Sequence, residues 1–336
     1  MTISGLTRPL PRRKFLQLAA GAAVLPVLSR PALAQAYPSR PINMVVPFAA
    51  GGPSDAVARV LAEGMRGPLG QTLTIENVAG AGGTLGTTRT ARATPDGYTV
   101  MVGLWGTHVV NPVIYTLPYD VPTSFEPAGL ISTTPHLIAA KQTFPANDLK
   151  GLIAWLKANP GKATVGHAGA GSPPHVGAVF FQNATGTSFQ LVPYRGAGPA
   201  MQDLVAGQID MLIDSPVTVV PQLKAGKIKA FAIAEKSRLA SAPEVPTVDE
   251  AGLPGFYFSN WFGLYAPKGT PQSIVSRLNA AMVAALADAS VRARFSELGQ
   301  DVFPREQQTV AAHAALQKAD SEKWWPIIKA ANIKGE

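Results

Sequence analysis

Three segments with one grammar predict an α/β protein of two lobes, each a mainly parallel sheet flanked by helices. MVVPFAAGGPSDAVARVLAEGM (44–65), ATVGHAGAGSPPHVGAVFFQ (163–182) and FQLVPYRGAGPAMQDLVAG (189–207) each pass from an apolar strand through a Gly/Pro/Ser turn into a helix-period run. Strands alternating with helices argue for parallel pairing. Length argues for two lobes, because roughly 300 residues behind an export signal exceed what one hydrophobic core organises. Two extended apolar stretches, 135–144 and 256–267, bracket the second and third segments. They read as crossings, so that 37–138 with 263–336 forms one lobe and 139–262 the other. A double crossing of this kind makes a hinge over a cleft.

The export signal occupies 1–34. Arg12-Arg13-Lys14-Phe15-Leu16 precedes an apolar stretch over 18–28, and Ala32-Leu33-Ala34 follows as a small-residue cleavage site. This order predicts removal after passage by the twin-arginine route, and a periplasmic location. A membrane anchor fits poorly, since the stretch is short, contains Pro26 and is followed by Arg30. Five of the 29 Lys and Arg residues lie in 1–34, which holds no acid, so the remainder carries 24 bases against 21 acids. That mild balance, without a basic run interleaved with aromatics, argues against a nucleic-acid partner. Cysteine is absent, which excludes disulfides, thiolate metal sites and cysteine nucleophiles. No HExxH, EF-hand or histidine cluster occurs, and neither metal nor cofactor is expected.

Between the first and second segments, LTIENVAGAGGTLGTTRTARATPDGYTVMVG (73–103) reads as strand, glycine loop, helix and strand. Pro95-Asp96-Gly97 supplies the turn into the strand at 98–103. Further on, IDMLID (209–214) and KAFAIA (229–234) read as strands, and SIVSRLNAAMVAALAD (273–288) as an amphipathic helix. A tail helix carries Trp324 and Trp325.

Ligands of parallel sheets collect outside the carboxyl ends of the strands, where the three turns fall. In the first turn Gly51 and Gly52 allow backbone conformations closed to other residues, and the helix start beyond them offers unpaired N–H groups to an anion. Phe48, Ala49, Gly51, Gly52, Ser54 and Asp55 are the candidates there. Ser54 or Asp55 caps the helix, and Asp55 suits an anion site only with its carboxylate turned back. Trp105, Thr107 and His108 follow the 98–103 strand at the same edge, with Trp105 either flooring a pocket or filling the core. The second turn contributes Ala168, Gly169, Ser172 and His175, with Ser172 as helix cap and ligand donor. Tyr194 is placed in the cleft and Arg195 at its rim.

Two enzymatic patterns are tested by these residues. The loop at 80–86 misses G-x-G-x-x-G because Leu85 stands at the third glycine position. Ser172, His175 and Asp214 offer a hydrolase-like triad, and a periplasmic serine hydrolase is the alternative reading. G-x-S-x-G is nevertheless absent, with Ala170 in place of its first glycine.

YPSRPINMVVPFAAGGPSDAVAR, GAGGTLG, ATPDGYTV, VPYRGAGPAMQDLVAGQID, PEVPTVDEAGLPGF and WFGLYAPKGTPQSIVSRLNAAM stand in this order along the chain. In them the sequence resembles the Bug, or tripartite tricarboxylate transporter, solute-binding receptors of the bacterial periplasm. The resemblance implies a type II periplasmic binding protein, a Venus flytrap, monomeric and not an enzyme. It would close over a small organic carboxylate and deliver it to membrane transporter subunits. Contacts carried over by position fall on 48–55, 105–108, 168–175, Tyr194 and Asp214, through backbone amides, hydroxyls and bridging water. The chain departs from the usual pattern at His167, at Pro173-Pro174 and at Asn77-Val78-Ala79.

Overall fold

The computed structural model describes residues 37–335 together with Thr2. The expected signal at 1–34 therefore lies, apart from Thr2, outside the described residues. Arg40–Glu336 forms one compact unit, and every contact below lies within it.

Among the described residues the strands assort into two sheets. The first has six strands in the order β11-β4-β10-β3-β1-β2. Here β1 (Ile42–Val46) pairs in parallel with β2 (Leu73–Asn77) and β3 (Thr99–Leu104). β10 (Ser259–Pro267) lies antiparallel between β3 and β4 (Phe125–Pro135), and β11 (Asp301–Val302) closes the edge. β1 is nearly all buried because both sheet faces are covered, which is why INMVV shows no clean alternation. The second sheet has the order β7-β6-β8-β5-β9. β6 (Thr164–His167) is parallel to β7 (Gln190–Pro193) and β8 (Met211–Asp214), whereas β5 (Leu137–Lys141) is antiparallel to β8 and to β9 (Ile228–Ile233). Two helix-flanked sheets are what the sequence predicts. Parallel pairing is confined to β1–β3 and β6–β8, because the strands that pass between sheets enter each one against its prevailing direction.

A single residue, His136, separates β4 from β5. The return path runs beside it, since Ser259 pairs with Pro135 and the His136 N–H donates to the Phe258 carbonyl at 3.1 Å. The two passages between the sheets are thus adjacent.

Helices follow the turns as predicted. α1 (Pro53–Leu69) buries Val57, Leu61 and Met65 and stops at Gly70, whose φ of +72° is the left-handed closure expected of glycine. α2 (Thr84–Ala91) and α3 (Leu149–Ala158) flank the first and second sheets respectively. α4 (Pro173–Thr185), α5 (Ala197–Val205) and α6 (Pro216–Lys224) follow β6, β7 and β8. α7 (Gln272–Ala287), α8 (Ala289–Glu297) and the long α9 (Val310–Ala330) complete the fold. The stretch after β3 that carries Thr107 and His108 is a π-helical turn over Gly106–Val110. It forms because the Thr107 hydroxyl bonds back to Leu104, donating to its carbonyl at 3.0 Å and accepting from its N–H at 3.2 Å.

Candidate functional site

A hollow of about 410 Å³, counted out to its mouth, lies between the two sheets. Its enclosed part is only about 30 Å³, room for about two waters as it stands. Strand ends point into it from both sides: Phe48 lies beyond β1, Leu104 closes β3, Ala168 follows β6 and Asp214 closes β8. Helix starts fill the gaps between them. Gly52, Pro53 and Ser54 begin α1, Ser172 caps α4 ahead of Pro173 and Pro174, Ala197 begins α5, and Ser215 stands at the N-cap position of α6 without a side-chain capping bond. Four helix N-termini therefore converge on one cavity, each carrying roughly half a positive charge. Among the described residues, no Lys or Arg lines it.

The prolines decide how those helix ends act. α1 and α6 have Pro at their first position, and α4 has it at the first two. Each ring removes an N–H, and the His175 N–H of α4 is already taken by the Ser172 hydroxyl at 3.4 Å. The second turn thus contributes its field and the Ser172 O–H rather than helix-start N–H groups. The α1 start retains the N–H groups of Ser54 and Asp55.

Asp55 is 4% exposed and does not line the cavity. Its carboxylate turns back to accept from the Gly51 N–H at 3.0 Å, the Asn77 amide at 3.0 Å and the Arg59 guanidinium at 2.8 Å. Burial works against ionisation, but these donors together hold its carboxyl below the usual carboxylate range. Asp55 thus fixes the glycine turn from behind.

Of the other predicted residues, Phe48, Gly52, Ser54, Ala168, Ser172 and Asp214 are brought together around the hollow. Ala49 packs beside it against Gly196, and Gly51 holds a φ of +81°. Gly169 meets Gly82 of the facing glycine loop. Trp105, Thr107 and His108 point elsewhere. The Trp105 ring is 1% exposed and packs edge-on against Phe258 at 5.7 Å and Trp324 at 5.1 Å, so it fills the core instead of flooring the pocket. Thr107 bonds the His108 Nδ1 at 2.8 Å, and His108 stacks on Tyr265 at 3.8 Å beside a separate hollow. Tyr194 does not face the cavity either, because its hydroxyl donates to Asp203 at 2.7 Å. Burial and that carboxylate push the phenol up to about 12.

The triad does not assemble. Ser172 Oγ accepts from the His175 backbone, and His175 Nδ1 accepts from the Gly171 N–H at 3.1 Å. Burial, with His167 alongside, pushes the His175 imidazole down to about 3. Asp214 Oδ1 accepts from the Ser215 N–H at 2.7 Å, and no hydrogen bond joins Asp214 to His175 among the described residues. Neither a general base nor its orienting acid is in place.

Sequence reasoning missed Thr134, His136, Asn260 and Phe262, which line the cavity from the passages between sheets. The signal was available: polar residues on apolar crossing strands beside a cleft have nowhere else to find partners.

The two sheets touch through backbone. The Tyr115 hydroxyl donates across to the Ala170 carbonyl at 2.9 Å, while on the first sheet's own side the Gly82 carbonyl accepts from the Asn111 amide at 3.0 Å. A Cβ on Gly82 would lie 1.9 Å from that Ala170 oxygen. The glycine loop that fails as a dinucleotide motif is therefore a close-packing surface.

Comparison with known proteins agrees with this architecture. The tripartite tricarboxylate transporter family receptor pattern matches residues 57–333. The chain belongs to this family of solute-binding receptors. It is 35% identical over 274 residues to BugT of Bordetella pertussis, covering 81% of the chain and 84% of BugT. It superposes on the periplasmic binding protein BugD with a TM-score of 0.86 at 41% identity, covering 89% of this receptor and all of BugD. MatC of Rhodopseudomonas palustris, solved with bound malate, gives 0.83 at 41% identity, with 87% of this receptor and 100% of MatC covered.

Proposed function

We propose that this receptor works in the periplasm, capturing a small carboxylate-bearing solute between its lobes and handing it to the membrane subunits of a tripartite tricarboxylate-type transporter. The observation that carries the reading is the convergence of four helix starts, two of them with N-cap serines, on one cavity without a basic side chain. Such a site favours an anion through aligned peptide dipoles and short polar contacts. MatC, a relative with malate in its site, supports a carboxylate as that anion. The lobes 37–138 with 263–336 and 139–262 move as bodies about the adjacent passages near 135–144 and 256–267, and ligand shifts the population toward closure. The protein acts as a monomer, without cofactor and without turnover.

The magnitudes are sufficient. Micromolar affinity needs about 8 kcal/mol. Hydrogen bonds to a charged group contribute about 1.5–3 kcal/mol each, and each partly buried helix start adds up to about 2 kcal/mol. A few such bonds within the field of four helix starts reach that value after ordering costs. Thermal-shift screening against mono-, di- and tricarboxylates tests the reading, since a ligand that binds only the native state raises the melting temperature. Calorimetry on the hits should give binding at one site per chain with no product formed; a panel without any hit refutes the proposal.

A further inference from the structure

The wall of the cavity formed by the passages and by the end of β8 carries four buried polar side chains, each with one polar atom that has no hydrogen-bond partner among the described residues. Asp214 is 1% exposed, and its Oδ2 has no partner. Asn260 (3% exposed), His136 (2%) and Ser215 (2%) have Oδ1, Nδ1 and Oγ respectively in the same condition, and all four residues line the hollow. Nearly every buried polar atom in a native protein is paired, and each one left alone costs about 1–3 kcal/mol. Four such atoms share this one wall.

Their chemistry specifies what is missing. The Asp214 carboxylate and the Asn260 oxygen can only accept. The Ser215 hydroxyl can also accept, and the His136 nitrogen accepts in one tautomer. No basic side chain lines the cavity, and Asp214 forms no ion pair among the described residues. Burial pushes the Asp214 carboxyl up to about 6, against the Ser215 N–H and the nearby Thr218 hydroxyl, which leaves it mostly ionised at neutral pH. A second carboxylate seated here would meet that charge in a poorly screened interior.

We infer that Asp214, Asn260 and His136 make this receptor selective for carboxylate solutes whose far end is a hydrogen-bond donor, either a hydroxyl or an ammonium group. The inference rests on the reading of the cleft as a carboxylate site and names the other end of the solute. The ligand carboxylate lies at the α1 start, and the donor group reaches the acceptor wall.

Four acids of one length decide it: butyrate, 4-hydroxybutyrate, 4-aminobutyrate and succinate differ only in the terminal group. Calorimetry on the mature chain with this set, and with its three- and five-carbon counterparts, should show a donor-ended acid binding at least ten-fold more tightly than the methyl- and carboxylate-ended acids of equal length. Asp214→Asn keeps an oxygen for the Ser215 N–H. It should abolish a preference for the amine, leave a preference for the hydroxyl within three-fold, and improve succinate binding. Methyl- or carboxylate-ended acids that bind as tightly as the best donor-ended acid overturn the inference on the unmodified protein alone. Binding by none of the acids of any class overturns the carboxylate reading and this inference with it.

Discussion

Gly82→Ala separates the strain of a residue from its effect on closure. Gly82 has φ +59° and ψ 22°, a left-handed conformation that costs an alanine about 1–2 kcal/mol. This cost is paid whether the cleft is open or shut, and it appears as lower thermal stability. On the proposed mechanism, the second effect belongs to the closed state alone. The new Cβ would stand 1.9 Å from the Ala170 carbonyl oxygen, whereas real approaches hardly fall below 3.0 Å, so the two segments must part by about an ångström. The Tyr115 to Ala170 hydrogen bond, 2.9 Å long, is then lost or stretched, at about 1 kcal/mol net. With the steric term, closure becomes about 1–2 kcal/mol less favourable, and affinity for the best carboxylate falls roughly ten-fold. Gly70→Ala is the control, because φ is +72° with nothing within 4 Å; it should lower the melting temperature and leave affinity unchanged. Calorimetry and thermal unfolding on both variants suffice. If Gly82→Ala binds within two-fold of the native protein, the contact between the facing loops is not part of closure.

Trp105→Ala should cost about 3–5 kcal/mol in chemical denaturation, the amount expected for emptying a core aromatic site. Asp55→Ala leaves the Gly51 N–H without an acceptor, while the Asn77 amide keeps the Phe48 carbonyl at 3.0 Å, and the unfolding free energy should drop by about 1–3 kcal/mol. Ser172→Ala should lose about 1 kcal/mol of helix capping, and neither it nor the native protein should hydrolyse an ester substrate. His108, His136, His175 and His313 are pushed by burial to about 3 and His167 to about 4. The folded protein thus keeps them neutral while the unfolded chain takes up protons near 6.5. Their stabilisation is complete above about pH 6.5 and declines toward pH 4, by up to about 1.4 kcal/mol per histidine per pH unit. Asp214, raised to about 6, and Asp301 and Asp320, also raised by burial, oppose this, but three carboxyls stand against five histidines. The unfolding midpoint should therefore fall steadily from pH 7 to pH 4.5.

The regular elements were legible because each rests on local pattern. The strands read at 98–103, 209–214 and 229–234 appear as Thr99–Leu104, Met211–Asp214 and Ile228–Ile233, and the helix read at 273–288 appears as Gln272–Ala287. The turns were legible too, since Gly-Gly-Pro and Ser-Pro-Pro announce helix starts wherever they occur. What failed was side-chain direction at distance. Nothing near Trp105 in sequence reveals that Trp324, more than 200 residues later, covers its ring. Tyr194 looked like a cleft residue until Asp203, nearly two turns into α5, claimed its hydroxyl. His136 and Asn260 were overlooked because their strands were read as connections alone, and whether a lone residue between β4 and β5 turns inward depends on the pairing of both sheets.

The narrow join between the sheets has a consequence of its own. Thr134, His136 and Asn260 line the cavity from the strands that carry the chain across. On the proposed mechanism, the parts that sense the cargo and the parts that bend are the same few residues. A solute that satisfies them stiffens the pivot directly, with no relay from a distant pocket. Substitutions that retune selectivity at these positions should then alter the speed of shutting as well, and evolution toward a new cargo would be constrained by the mechanics of the joint.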